Sequence, residues 1–116
     1  MENLSLKEIY FQEKSSFKSQ LMYSLSLDTL EEKLVIITEK NISSVEKLEL
    51  SKVEEKLYKI QNIIQDFKDS YISKHALDGT TYKIVAIMKD GSIRKIIGKN
   101  KFPKGYNNFV KLVSGE

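Results

Sequence analysis

One histidine, no cysteine and a scatter of carboxylates are what this 116-residue sequence offers for catalysis. His75 stands in Ser70-Tyr71-Ile72-Ser73-Lys74-His75, after an amphipathic stretch and before a turn. General-base chemistry needs a partner group to orient the imidazole, and no spacing around it supplies one. The residue is expected to be an ordinary surface or helix-terminal side chain. Glu31-Glu32 and Glu54-Glu55 are adjacent in sequence, but their natural settings are a turn and a helix start, where acids favour the dipole. They make no acid–base pair. Without cysteine there is no disulfide, no thiolate nucleophile and no Cys/His metal site. Gly98-Lys99-Asn100-Lys101 lacks both the Walker spacing and GxGxxG, which leaves a basic loop rather than a phosphate cradle. The expectation is a protein that is not an enzyme, with no cofactor and no metal.

What remains is charge. Residues 1–70 hold 10 Lys/Arg against 13 Asp/Glu, and residues 71–116 hold 9 against 3, so a net charge of +3 conceals a basic C-terminal part. Its hairpin and the loop that follows hold Lys83, Lys89, Arg94, Lys95, Lys99, Lys101 and Lys104, with Tyr82, Phe102 and Tyr106 interleaved. Such a run suits an acidic surface on a protein or ribonucleoprotein, or phosphates whose bases stack on exposed aromatics. The ordinary reading of a charge run is a solvated face. A single arginine and the lack of a nucleic-acid-binding motif weigh against DNA or RNA. Phe102 beside Pro103 reads as a core plug holding the last turn.

These residues must be positioned by strands and one long helix. Leu6, Ile9, Tyr10 and Phe11 suggest a first strand whose alternation changes phase, as at a bulge. From Phe17 to Leu27 the odd positions are apolar, apart from Ser19, and the even ones mostly polar, which is a half-buried strand. A polar connection, Asp28 to Glu32, leads to a β-rich run from Lys33 to Lys40, and Val45 to Leu50 is a short strand or the lead-in to a helix. Ser51-Lys52-Val53-Glu54 has the capping-box form, and Val53, Leu57, Ile60, Ile64, Phe67 and Tyr71 follow at spacings of four and three. The spacing predicts a helix from Lys52 to about Phe67 that docks on the sheet rather than in a coiled coil. Asp90-Gly91 between two β-rich runs predicts a two-residue hairpin in which Lys89 pairs with Ser92. That register puts Ile93, Lys95, Ile97 and Lys99 on the face of Tyr82, Ile84, Ala86 and Met88, and Arg94 and Ile96 on the other. Tyr106 to Val113 suggests a short last helix with Phe109, Val110 and Val113 inward.

Asp78-Gly79, a strand opened by Tyr82, Lys89-Asp90-Gly91, Gly98, Asn100, Phe102-Pro103 and Phe109 resemble a widespread group of small, largely uncharacterised bacterial α+β domains. Members of that group look like an N-terminal β-meander, a capped helix, a hairpin turned at Asp-Gly, and a G-x-N-x-[aromatic]-P turn into a last helix. Tyr82 stands where the group usually has Trp, and Lys104-Gly105 precedes a shorter last helix. The resemblance implies a fold and no reaction, so no functional residue carries over from it.

Taken together, 41% hydrophobic and 30% charged residues predict one α+β domain over residues 1–116. Its antiparallel sheet is a meander plus a hairpin, packed against one main amphipathic helix. No signal-like segment opens the chain, and the longest apolar run, Leu34-Val35-Ile36-Ile37, is too short to span a bilayer, so a cytoplasmic protein without membrane contact is expected. The expected function is a non-enzymatic protein-binding module acting through its basic hairpin or an exposed sheet edge. Phage or mobile-element inhibitors of host defence complexes, anti-CRISPR proteins among them, are of this type. A nucleic-acid-binding accessory protein using the same lysines, or a structural homodimer, are the other readings.

Overall fold

Alternating apolar residues make the strands, and the order in which they pair makes a single sheet. The computed structural model describes residues 3–15, 19–73 and 79–115. Four strands, β1 (Leu6–Ser15), β2 (Gln20–Ser26), β3 (Glu31–Ile37) and β4 (Ile42–Lys47), form an antiparallel meander. After the helix α1 (Leu50–Ile64) come β5 (Ser70–Ile72), β6 (Thr80–Met88), β7 (Ile93–Lys99) and the helix α2 (Tyr106–Ser114). The sheet order is β4-β3-β2-β1-β6-β7-β5, so β1 joins the meander to the C-terminal hairpin through β6. The α+β architecture of a mostly antiparallel sheet, one main helix and a short last helix is therefore present. The pair β5–β7 is parallel, an edge that three residues of sequence did not signal. The bulge in β1 falls between Leu6 and Glu8, where the register with β6 shifts.

Both helices lie on one face of the sheet. Val53, Leu57, Ile60 and Ile64 of α1 are buried, as are Tyr106, Phe109 and Val113 of α2. They pack with Ile9, Phe11, Tyr23, Leu25, Ile84 and Ile96 from the strands. At roughly 1.5–3 kcal/mol for each fully buried large aliphatic side chain, the α1 stripe is spent on its own sheet and leaves nothing for a coiled-coil partner. Phe67 is buried just beyond the helix, whereas Tyr71 belongs to β5. Glu49, not Ser51, occupies the N-cap, and no side chain caps it. The Glu49 carbonyl instead accepts from the N–H groups of Lys52 and Val53, so the helix predicted by spacing begins one to two residues early and without the expected capping box.

The hairpin register differs from expectation by one residue. Met88 N–H donates to the Ser92 carbonyl at 2.9 Å and Gly91 N–H to the Met88 carbonyl at 3.0 Å, which makes a three-residue loop. Gly91 sits at φ +89° and so closes a type I turn with a bulge rather than a two-residue type I′ turn. Because side chains alternate, this single step exchanges the two faces of β7. Ile96 is fully buried against the helices, while Ile93 and Ile97 are 60% and 44% exposed on the far side. The position opposite Tyr82 becomes Gly98. The tyrosine ring lies directly on it: a Cβ built there would come within 1.9 Å of the ring.

Asn100, in the left-handed region at φ +57°, ties off the same end of the pair. Its side-chain oxygen accepts from Thr80 N–H at 2.8 Å and its own N–H donates to the Thr80 carbonyl. Phe102 is not a core plug. It is 46% exposed and stacks on Tyr82 with centroids 5.4 Å apart, while Pro103 is the buried member of the pair. Gly98→Ala should therefore lower stability by roughly 1–3 kcal/mol or more, the cost of overpacking. Chemical denaturation measures it, and because the clash is with the Tyr82 ring, the double variant Gly98→Ala/Tyr82→Ala should lose less than the sum of the two single losses.

Candidate functional site

Since both helices cover one face, the pleat leaves the alternate residue of every strand on the other. Cross-strand pairing assigns these side chains without ambiguity. One row runs Val45–Lys33–Ser24–Tyr10–Val85–Lys95 across β4, β3, β2, β1, β6 and β7. The next runs Ser43–Val35–Met22–Gln12–Lys83–Ile97 and reaches Ser70 of β5. A third carries Ile37, Gln20, Lys14, Thr81, Lys99 and Ile72. The open face thus presents six lysines, Lys14, Lys33, Lys47, Lys83, Lys95 and Lys99, against two glutamates, Glu8 and Glu31. All six lysines are exposed, and Lys33 approaches Glu31 at 3.7 Å.

The same face collects apolar surface. Among the described residues the exposed large hydrophobic side chains are Tyr10, Ile37, Ile42, Val45, Leu50, Ile72, Ile93, Ile97 and Phe102. Six of these, Tyr10, Ile37, Val45, Ile72, Ile93 and Ile97, stand on the open face. They are interspersed with the lysines along the rows: Val45 lies beyond Lys33, Ile97 beyond Lys83, and Ile37 and Ile72 stand at the two ends of the row that holds Lys14 and Lys99. At the centre is a trough of about 410 Å³, formed by Tyr10, Gln12, Met22, Ser24, Val35 and Val85 with Lys33 and Lys83 at its sides. Tyr10 donates its hydroxyl to Glu8 at 3.1 Å, and partial burial, then that bond, pushes its phenol above the usual range.

The basic residues anticipated from the C-terminal part do not form one cluster. Lys83, Lys95 and Lys99 share the open face, whereas Lys89 sits in the loop at the hairpin tip. Lys101 and Lys104 lie in the exposed segment before α2. Arg94 faces the other way. Its guanidinium donates to the carbonyl of Ile64, the last residue of α1 (2.7 Å), and to that of Phe67 just beyond the helix, and approaches Asp69 at 3.4 Å. A fork of donors on helix-end carbonyls satisfies groups that the helix itself cannot pair, and the charge favours the negative end of the dipole. Arg94 is a positioning residue of the fold. Lys14, Lys33 and Lys47, which the basic C-terminal part did not include, join the face from the N-terminal half because β1 pairs with β6. The signal for Lys14 and Lys33 was present in the period-2 pattern of β1 and β3, but it needed the strand order to be read.

Of the carboxylates, Glu32 and Glu13 have partners within the fold. Glu31 and Glu32 open β3 rather than forming a turn, and neighbours on a strand point to opposite faces. Glu32 accordingly turns inward, where Tyr23 and Lys56 both donate to it. Glu13 likewise faces inward and accepts from Tyr106. Burial, then these carboxylates, pushes the phenols of Tyr23 and Tyr106 far above the usual range, and burial raises Tyr82 to about 12. Among the described residues no group of three His, Asp or Glu side chains is placed to hold a metal ion, and no helix is long and apolar enough to cross a membrane. His75 lies outside the described residues.

Arg94→Met should lower stability by roughly 1.5–3 kcal/mol, the range for a hydrogen bond to a charged group. Lys95→Met, on the adjacent residue but the opposite face, should leave stability within about 0.5 kcal/mol, as surface substitutions do. Thermal or urea unfolding of the two variants makes the comparison. Compared with known proteins, the sequence matches no family model and no curated relative.

Proposed function

We propose that this chain is a non-enzymatic protein-binding module and that the open sheet face is its docking surface. The observation that carries the reading is the convergence of six of the exposed large hydrophobic side chains with six lysines on the one face that no helix covers. Apolar side chains interleaved with charge around an apolar trough suit a protein interface, in which burial supplies affinity and charge supplies orientation and rate. The partner is accordingly a protein, alone or within a ribonucleoprotein, with an apolar patch bordered by acidic side chains. Nucleic acid is less well served. Platforms that bind single strands stack bases on several aromatic rings, and Tyr10 is the one aromatic among the exposed large hydrophobic residues of this face.

A module of this kind acts by occlusion, as an inhibitor or decoy does, because whatever sits on the partner's acidic surface is kept from its other ligands. A phage or mobile-element protein directed against a host defence complex would be one such inhibitor. Charge also argues against self-association through the face, since two copies would set six lysines against six.

Retrieval of the tagged protein from its source cells, with and without nuclease, tests the reading. A protein partner should be recovered in stoichiometric amount and survive digestion. The triple variant Lys33→Glu/Lys83→Glu/Lys95→Glu should lose it, and Lys52→Glu/Lys68→Glu/Lys111→Glu, on the helix side, should keep it. Recovery of nucleoprotein that disappears on digestion would move the assignment to nucleic acid.

A further inference from the structure

The trough has sides as well as a floor, and their separation selects an occupant. Lys33 stands on β3 and Lys83 on β6, three strand spacings apart, or about 14 Å. Between them lie Met22, Val35, Tyr10 and Val85. An α-helix with its side chains is about 10–12 Å across and fits that interval. An extended peptide has no means of hydrogen-bonding to a sheet face and would add to an edge instead.

The molecule already contains the arrangement on its other side. There α1 lays Val53, Leu57, Ile60 and Ile64 on the strands while its Lys56 reaches Glu32 of β3. Lys33 is the next residue along β3 and points to the opposite face. Toward a helix on the open face it therefore occupies the place that Glu32 occupies toward α1, with the sign of the charge reversed. Resting on the protein-binding reading above, we propose that the open face receives an amphipathic helix of the partner. Its apolar stripe fills the trough, and acidic side chains flank the stripe, one side meeting Lys33 and the other Lys83 and Lys95. A second copy of this chain is a poor occupant because like charges meet, and a floor whose one exposed aromatic ring is Tyr10 offers a nucleic acid little to stack on.

Three synthetic peptides separate the outcomes. Two are helical, with leucine at i, i+3, i+4 and i+7, one flanked by glutamate and the other by lysine; the third has the glutamate peptide's composition in scrambled order. Each is titrated into the isotope-labelled full chain and followed by backbone amide shifts, alongside oligothymidylate as a nucleic-acid probe. The glutamate-flanked helix should bind at least about tenfold more tightly than the other two peptides, with shifts centred on Met22, Lys33 and Val85. The double variant Lys33→Glu/Lys83→Glu, confirmed as folded by its spectrum, should prefer the lysine-flanked helix. Equal binding of the scrambled peptide, shifts centred outside the open face, an unchanged preference in the double variant, absence of peptide binding, or tighter binding of oligothymidylate at the same residues would each overturn the proposal. If the peptides fail while the open-face lysine variants still lose the protein captured from cells, helix docking alone falls. If those variants also retain the captured protein, the protein-docking reading of the face falls with it.

Discussion

A β-strand has two faces, and everything distinctive in this protein follows from both helices being laid against the same one. The constraint is geometric: with a period of two, each residue that reaches the helices leaves its neighbours pointing away from them. Where the boundary falls is decided by the loop of the C-terminal hairpin. Its three residues, closed by Gly91 at positive φ, set Ile96 rather than Ile97 beneath α1 and bring Gly98 under the ring of Tyr82. A two-residue turn would have buried Lys95 and exposed Ile96, an exchange no core tolerates.

The charges divide along the same boundary. On the helix side Glu13, Glu32 and Arg94 each meet a partner that the fold supplies, in Tyr106, in Tyr23 and Lys56, and in the carbonyls of Ile64 and Phe67 at and just past the end of α1. Their electrostatic work is internal. On the open side the lysines hold positions in rows across the strands with apolar residues between them, and the ion pair there is the loose 3.7 Å approach of Lys33 to Glu31. Surface pairs of that kind contribute little to stability. The open-face lysines thus owe little to partners within the fold, which supports the proposal that this face contacts another molecule.

Much of this was legible in the residues. The stripe Val53, Leu57, Ile60, Ile64 specified α1, the odd-numbered apolar run around Leu21, Tyr23 and Leu25 specified β2, and the phase change after Leu6 marked the bulge in β1. The hairpin was legible in type but not in register, because Asp90-Gly91 satisfies both a two-residue and a three-residue loop and only the packing of Ile96 decides between them. The surface was legible in part. Lys83, Lys95 and Lys99 were in view, but Arg94 counts as a surface charge until it is seen capping a helix. Lys14 and Lys33 belong to the face through the β1–β6 and β2–β3 pairings, which connect residues more than sixty apart in sequence in the first case and which local patterns do not encode.

Lysine reactivity addresses the central claim most directly. Covalent modification, quantified residue by residue by mass spectrometry, can be compared between the purified chain and the chain in extract of its source cells. Loss of reactivity in extract confined to Lys33, Lys83 and Lys95, with Lys52, Lys89 and Lys111 unchanged, is the result expected of an open face that docks a partner. Unchanged reactivity at those three lysines, with protection at Lys52 and Lys111 over the helices or at Lys101 and Lys104 before α2, would contradict it.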